Sequence, residues 1–144
     1  KMEGLLSETL TAMSLLAPGD GSPLRGLCVE YLCSAFVDEV IAAGFDHGAK
    51  IYEIEEAVIR GRGASLMCPR DRRIGAAYVD CVSDGAAGGA SVMLSYTWGD
   101  SVGDIADGLA EYCKNHQLDA KETYVWICCL CINQHRVKEA QTLE

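Results

Sequence analysis

Cys128, Cys131 and His135 follow a Cys-x2-Cys-x3-His spacing near the carboxyl end of the chain. Thiolates and imidazole are zinc ligands, so the pattern invites a metal. A closed structural zinc site takes four ligands in a knuckle-like turn. The apolar run from Tyr124 to about Leu130 instead reads as a strand, which would aim Cys128 and Cys131 at opposite faces. Cys68 and Cys81 would join only through tertiary folding. No metal centre is expected, and these three residues are its weak candidates. A redox reading of the same Cys-x-x-Cys pair needs a helix start, where thiolate is stabilised. A strand position argues for buried, inert thiols, with an adventitious disulfide as the lesser alternative.

Two polar clusters offer a different chemistry. Val92-Met93-Leu94 leads into Ser95-Tyr96-Thr97-Trp98-Gly99-Asp100, and the run ending at Ile132 leads into Asn133-Gln134-His135. An indole such as Trp98 or Trp126 can stack a nucleobase, although an aromatic beside glycine at a strand end more commonly packs, since aromatics supply core area first. The Asn133 and Gln134 amides can meet the polar edge of a ligand. They can equally cap the following helix or bond the crossed loop.

No nucleophile-base pair can be assembled. His47, His116 and His135 lie in unrelated contexts, and no Gly-x-Ser-x-Gly elbow occurs. Gly61-Arg62-Gly63 and the 85–89 glycines lack a preceding strand and a following helix, so neither is a phosphate loop.

The elements that must position the two clusters form a strand-helix-strand pattern. Val102, Ile105, Ala106, Leu109, Tyr112 and Cys113 recur at helical spacing, with Asp104, Asp107 and Glu111 on the other face. Asp100 or Ser101 can cap this helix, and Asn115 can stop it. Two apolar strands joined by such a helix run parallel, which sets both clusters at the carboxyl edge of the sheet, where open parallel sheets bind ligands. A sheet of two parallel strands is rare, so further strands or another subunit are expected to complete it. Residues 136–144 read as the first turns of another helix.

Upstream, the spacing predicts helices over 3–16, over 24–43 and over about 51–59. The third carries Glu53, Glu55 and Glu56 on its outer face and ends at Gly61 and Gly63. The expected organisation is a helical N-terminal region over 1–63, a short β hairpin over 64–82, a Gly-rich linker over 83–91 and a βαβ unit over 92–144. There is no internal repeat.

The 144 residues are 49% hydrophobic, enough for a sizeable core. A formal net charge of −9 argues against nucleic acid or an anionic membrane as main partners. Arg60, Arg62, Arg70, Arg72 and Arg73 form the only basic patch, read as a solvated loop balancing acidic helices, with phosphate binding as the lesser alternative. No run reaches the ~20 apolar residues of a membrane span. The eight cysteines accompany too large an apolar fraction for a disulfide-held miniprotein. Cys28, Cys33 and Cys113 read as core, and the expectation is a soluble, intracellular protein. The first residue is Lys1, with Met2 beside it, which reads as a segment from within a longer precursor whose targeting peptide would lie outside it.

Leu94-Ser95-Tyr96-Thr97-Trp98-Gly99-Asp100, followed by Val125-Trp126-Ile127-Cys128-Cys129-Leu130-Cys131-Ile132-Asn133-Gln134, resembles the opening of the heterokaryon-incompatibility (HET) domain. Members of that family typically carry Leu-Ser-Tyr-x-Trp-Gly and then Trp-Ile-Asp-x-Leu-Cys-Ile-Asn-Gln. The HET domain is similar in turn to the TIR signalling fold. The likeness covers about residues 92–136, the N-terminal half of such a domain.

It implies an α/β protein with N-terminal helices and a partial flavodoxin-like parallel βαβ unit. The implied function is a signalling or scaffolding interaction domain that self-associates or binds other protein subunits. An NAD-like nucleotide would contact Ser95, Thr97, Trp98, Gly99, Asp100, Asn133 and Gln134. Where the family has Asp after Trp-Ile, this chain has Cys128, so a carboxylate role there is lost. Some TIR relatives cleave NAD with a glutamate on a later helix. Nothing assigns that role to Glu139 or Glu144, so no catalytic residue is placed. The alternatives are a non-catalytic accessory subunit of a large assembly, or an NAD-cleaving enzyme in a longer form.

Overall fold

The structure of the protein is a computed structural model that describes residues 6–8, 24–83 and 85–142. A short strand, β1 (Leu6–Glu8), is followed by β2 (Arg25–Cys28), α1 (Val29–Cys33) and α2 (Ala35–Ala42). The two helices are separated at Ser34, whose backbone leaves the helical region. α3 (Ile51–Ile54) widens into a π-helical turn over Glu55–Arg60 and continues as α4 (Gly61–Gly63). After a 3-10 turn at Tyr78–Cys81 come β3 (Ala87–Gly89), β4 (Val92–Leu94) and α5 (Val102–Asn115). The chain then forms β5 (Tyr124–Trp126), α6 (Cys128–Cys131) and α7 (Gln134–Thr142).

The expected parallel pair is present. Val92 of β4 lies opposite Val125 of β5, and Met93 opposite Trp126, with α5 as the crossover. All six apolar positions read for that helix are buried, and Asp104, Asp107 and Glu111 are exposed. Ser101 is its cap, with Oγ accepting from the Asp104 amide at 3.1 Å. Leu109 is fully buried at its centre, a contribution of about 1.5–3 kcal/mol for such a side chain.

The sheet is completed from within the described residues, by segments that the sequence reads otherwise. It is a mixed sheet in the order β1-β4-β5-β2-β3, antiparallel at every step except β4-β5. β2 occupies the first residues of the helix expected over 24–43. A short apolar run buried on both faces cannot be told from a buried helix by periodicity, and Gly26, Leu27 and Cys28 are all buried. Gly26 is the distinguishing mark, because a Cβ there would come within 2.6 Å of the Val125 carbonyl oxygen on β5. β3 lies in the expected 83–91 linker. It has no strand-forming side chains, and Gly88 is required because the Tyr124 ring lies against it, 2.9 Å from where a Cβ would sit.

The expected 64–82 hairpin is reduced to one antiparallel bridge, Met67 to Ile74, and the 3-10 turn. Of the helix expected over 3–16, the described residues 6–8 are strand, and the remainder lies outside the described residues. Among the described residues no helix is long and apolar enough to cross a membrane.

Candidate functional site

The loop leaving β4 is closed on itself and fastened to α3. Asp100 Oδ2 accepts from the Thr97 amide at 2.8 Å, and the Asp100 amide donates to the Thr97 carbonyl at 3.0 Å. The amides of Ile51 and Tyr52 donate to the carbonyls of Asp100 and Trp98, both at 3.1 Å. These amides open α3 and have no partner within the helix, so the loop satisfies them. Trp98, 38% exposed, is thereby held beside Tyr52, which is 62% exposed.

Beyond β5 the chain does not continue as the expected strand to Leu130. Ile127 is the last extended residue, and its carbonyl accepts from the amides of Leu130 and Cys131, which turns 128–131 into α6. Cys131 Sγ accepts from the Ile127 amide at 3.3 Å and is buried. Burial pushes its thiol up to about 12. Cys128 Sγ instead lies 3.2 Å from the Tyr96 hydroxyl, which also accepts from the Cys129 amide. Burial raises the Tyr96 phenol well above its ordinary range. His135 Nε2 donates to the Arg60 carbonyl at 3.0 Å. The Cys128, Cys131 and His135 side chains thus have three separate partners, and no group of three metal-ligating residues occurs among the described residues.

Asn133 is buried and spent on the fold. Its Nδ2 donates to the Gly75 carbonyl at 2.8 Å, and its Oδ1 accepts from the His135 amide at 3.0 Å, capping α7. Gln134 Nε2 donates to the Cys128 carbonyl at 3.2 Å.

A cleft of about 340 Å³ opens at the carboxyl ends of the parallel pair. Tyr52, Glu55 and Trp98 line one side. The other is α7, through Gln134, Val137, Lys138 and Gln141. Of the residues expected to bind a ligand, Trp98 and Gln134 meet in this cleft. Ser95, Thr97, Gly99, Asp100 and Asn133 are not part of its wall. The Thr97-to-Asp100 turn positions Trp98, and Asn133 positions α7.

Tyr52, Glu55 and Lys138 were not singled out by sequence. Tyr52 had a signal, an aromatic on the polar face of a helix whose Ile51 and Ile54 are buried. Glu55 was expected to face solvent and is only 8% exposed. The π turn is the reason. Its i to i+5 register stacks Arg60 over Glu55, and the guanidinium engages the carboxylate bidentately at 2.6 and 3.0 Å.

Ion pairs hold α7 in place. Arg136 binds Asp71 at 2.6 and 3.1 Å and reaches the Ile74 carbonyl, while Arg73 binds Glu139 at 2.6 Å. The Arg136 guanidinium holds the Asp71 carboxyl well below its ordinary range, and Arg73 lowers that of Glu139. Of the basic patch, Arg60, Arg62, Arg70 and Arg73 are each paired with a carboxylate.

No protein-family model, no curated protein and no solved structure matches the chain, so its likeness to the HET and TIR families rests on the two quoted segments alone.

Proposed function

We propose that the chain is a signalling or scaffolding interaction domain of HET/TIR-like type whose strand-end cleft binds a nucleotide-class ligand. One observation carries the reading: Trp98 and Gln134, which follow two adjacent parallel strands, line the same cleft. Ligands of open α/β sheets bind at this edge. The π turn that brings Glu55 to the cleft is a second support, since such turns occur frequently at functional sites. A partly exposed indole, an exposed phenol and the exposed Gln141 amide suit a flat ring with polar edges.

The test is calorimetric titration of the chain with a nucleotide panel, together with light-scattering mass with and without the tightest ligand. Binding that is lost in Trp98→Leu, with a change of mass on ligand addition, is the expected result. Absence of binding across the panel would remove the nucleotide part of the proposal, and an unchanged monomer would remove the assembly part.

The accessory-subunit alternative is favoured by the apolar side chains of Leu66, Met67 and Ile74, which are 46%, 58% and 61% exposed around one bridge. The incomplete sheet that first suggested it is supplied by β1, β2 and β3. An NAD-cleaving enzyme needs an available carboxylate, and the cleft carboxylate, Glu55, is held by Arg60.

A further inference from the structure

Resting on the nucleotide reading, we infer that the cleft selects a nucleoside monophosphate over both the uncharged nucleoside and a dinucleotide. Charge is the first ground. Glu55 and Arg60 cancel within their bidentate pair, which leaves Lys138 as the uncompensated charge on the cleft wall. Among the described residues Lys138 makes no ion pair. A chain of net charge −9 therefore presents a locally positive cleft. An ammonium ligand would have to displace Arg60 from Glu55, whereas a phosphate meets a free ammonium directly.

Size is the second ground. The cleft, at about 340 Å³, stands at the low end of small-molecule sites, which run from ~300 to ~1,000 Å³. One base, one ribose and one phosphate fill such a volume, and a second nucleoside would have to lie outside it. Geometry supplies the polarity of the bound ligand. Trp98 stands on the β4 side and Lys138 on α7, so the ring rests against the indole while the phosphate crosses to the ammonium.

The experiment is calorimetry on the 144-residue chain with the ribonucleoside 5′-monophosphates, their nucleosides, NAD and nicotinate. At least one monophosphate is expected to bind about tenfold or more tighter than its nucleoside, as one charge-assisted hydrogen bond provides. Lys138→Gln is expected to abolish that difference by weakening the monophosphate about tenfold, and thermal melting of the variant checks that it folds. NAD is expected to bind about tenfold or more weakly than the monophosphate, because each bridging phosphate carries one charge where a terminal phosphate carries nearly two, and its second nucleoside must be accommodated outside the cleft. Equal affinity for monophosphate and nucleoside, NAD as tight as the monophosphate, or nicotinate as tight would each overturn this inference and leave the cleft a ligand site. No binding by any compound would overturn the nucleotide reading with it.

Discussion

The Tyr52 amide donates to the carbonyl oxygen of Trp98 at 3.1 Å, so the two exposed aromatics of the cleft are joined through their backbones rather than their rings. Trp98 is therefore placed by its backbone, with one ring contact, to Tyr96 at 6.4 Å between centroids. Trp98→Leu is expected to leave the melting temperature within a few degrees, as for an exposed side chain, while ligand affinity falls about tenfold or more. A large loss of stability in thermal denaturation would instead make Trp98 a packing residue.

Asn133 is the opposite case. Asn133→Ala removes the cap of α7 and leaves the buried Gly75 carbonyl without its donor. A loss of about 1–3 kcal/mol is expected by denaturant unfolding. Asn133→Asp keeps the cap acceptor and loses the donor to Gly75 and Cys68, so both variants should destabilise, Asn133→Ala through the cap and the donor and Asn133→Asp through the donor. An unchanged Asn133→Ala midpoint would contradict the structural role.

The ion pairs that dock α7 make its position acid-sensitive. The Asp71 and Glu139 carboxyls titrate lower in the folded state than in the unfolded chain, where they fall near 3.9 and 4.3. Their stabilising contribution is therefore complete above that range and is lost as pH falls through the lower folded values. The Val137 and Lys138 amide resonances should hold steady from pH 7 to 5 and move below about pH 4, where carboxylates begin to protonate. Asp71→Asn should move them at pH 7. Insensitivity to both would show that other contacts hold the helix.

Burial makes two of the three cysteines of α6, Cys129 and Cys131, inert. Cys129 and Cys131 are each 1% exposed, and desolvation raises both thiols, that of Cys131 to about 12. Native protein at pH 8 should leave these two unmodified by a thiol reagent, while all eight cysteines react after unfolding. Peptide mapping reads this directly, and fast native labelling of Cys131 would contradict it.

Gly26→Ala tests the β2-β5 pairing. The added methyl meets the Val125 carbonyl oxygen at 2.6 Å, so a loss of about 1–3 kcal/mol is expected. A neutral substitution would mean that β2 does not approach β5 as described.

The elements legible in the sequence are those with long or unmixed patterns. Fourteen residues of α5 gave a full apolar face and a serine cap, and the parallel β4-β5 pair followed from its crossover. β2 was hidden because Leu27 and Cys28 continue into the apolar residues of α1 and α2. β3 was hidden because Ala87-Gly88-Gly89 has turn composition and serves as strand only by lying against Tyr124. The same limit applies to the site. Trp98 lies just past the end of β4, where position alone marks it, whereas Gln134 opens α7, one short helix beyond β5. Glu55 reaches the cleft through a π turn that changes the helical period, and Lys138 through the tertiary docking of α7.

Whether Trp98 and Gln134 face the same bound ligand is read most directly by chemical-shift mapping of isotopically labelled protein titrated with the tightest nucleotide of the panel. The Trp98 indole N–H, the Gln134 side-chain amide and the Lys138 amide are predicted to shift together with one saturation curve, while Leu66, Met67 and Ile74 stay still. Shifts confined to those three apolar residues, with Trp98 and Gln134 silent, would contradict a ligand in this cleft.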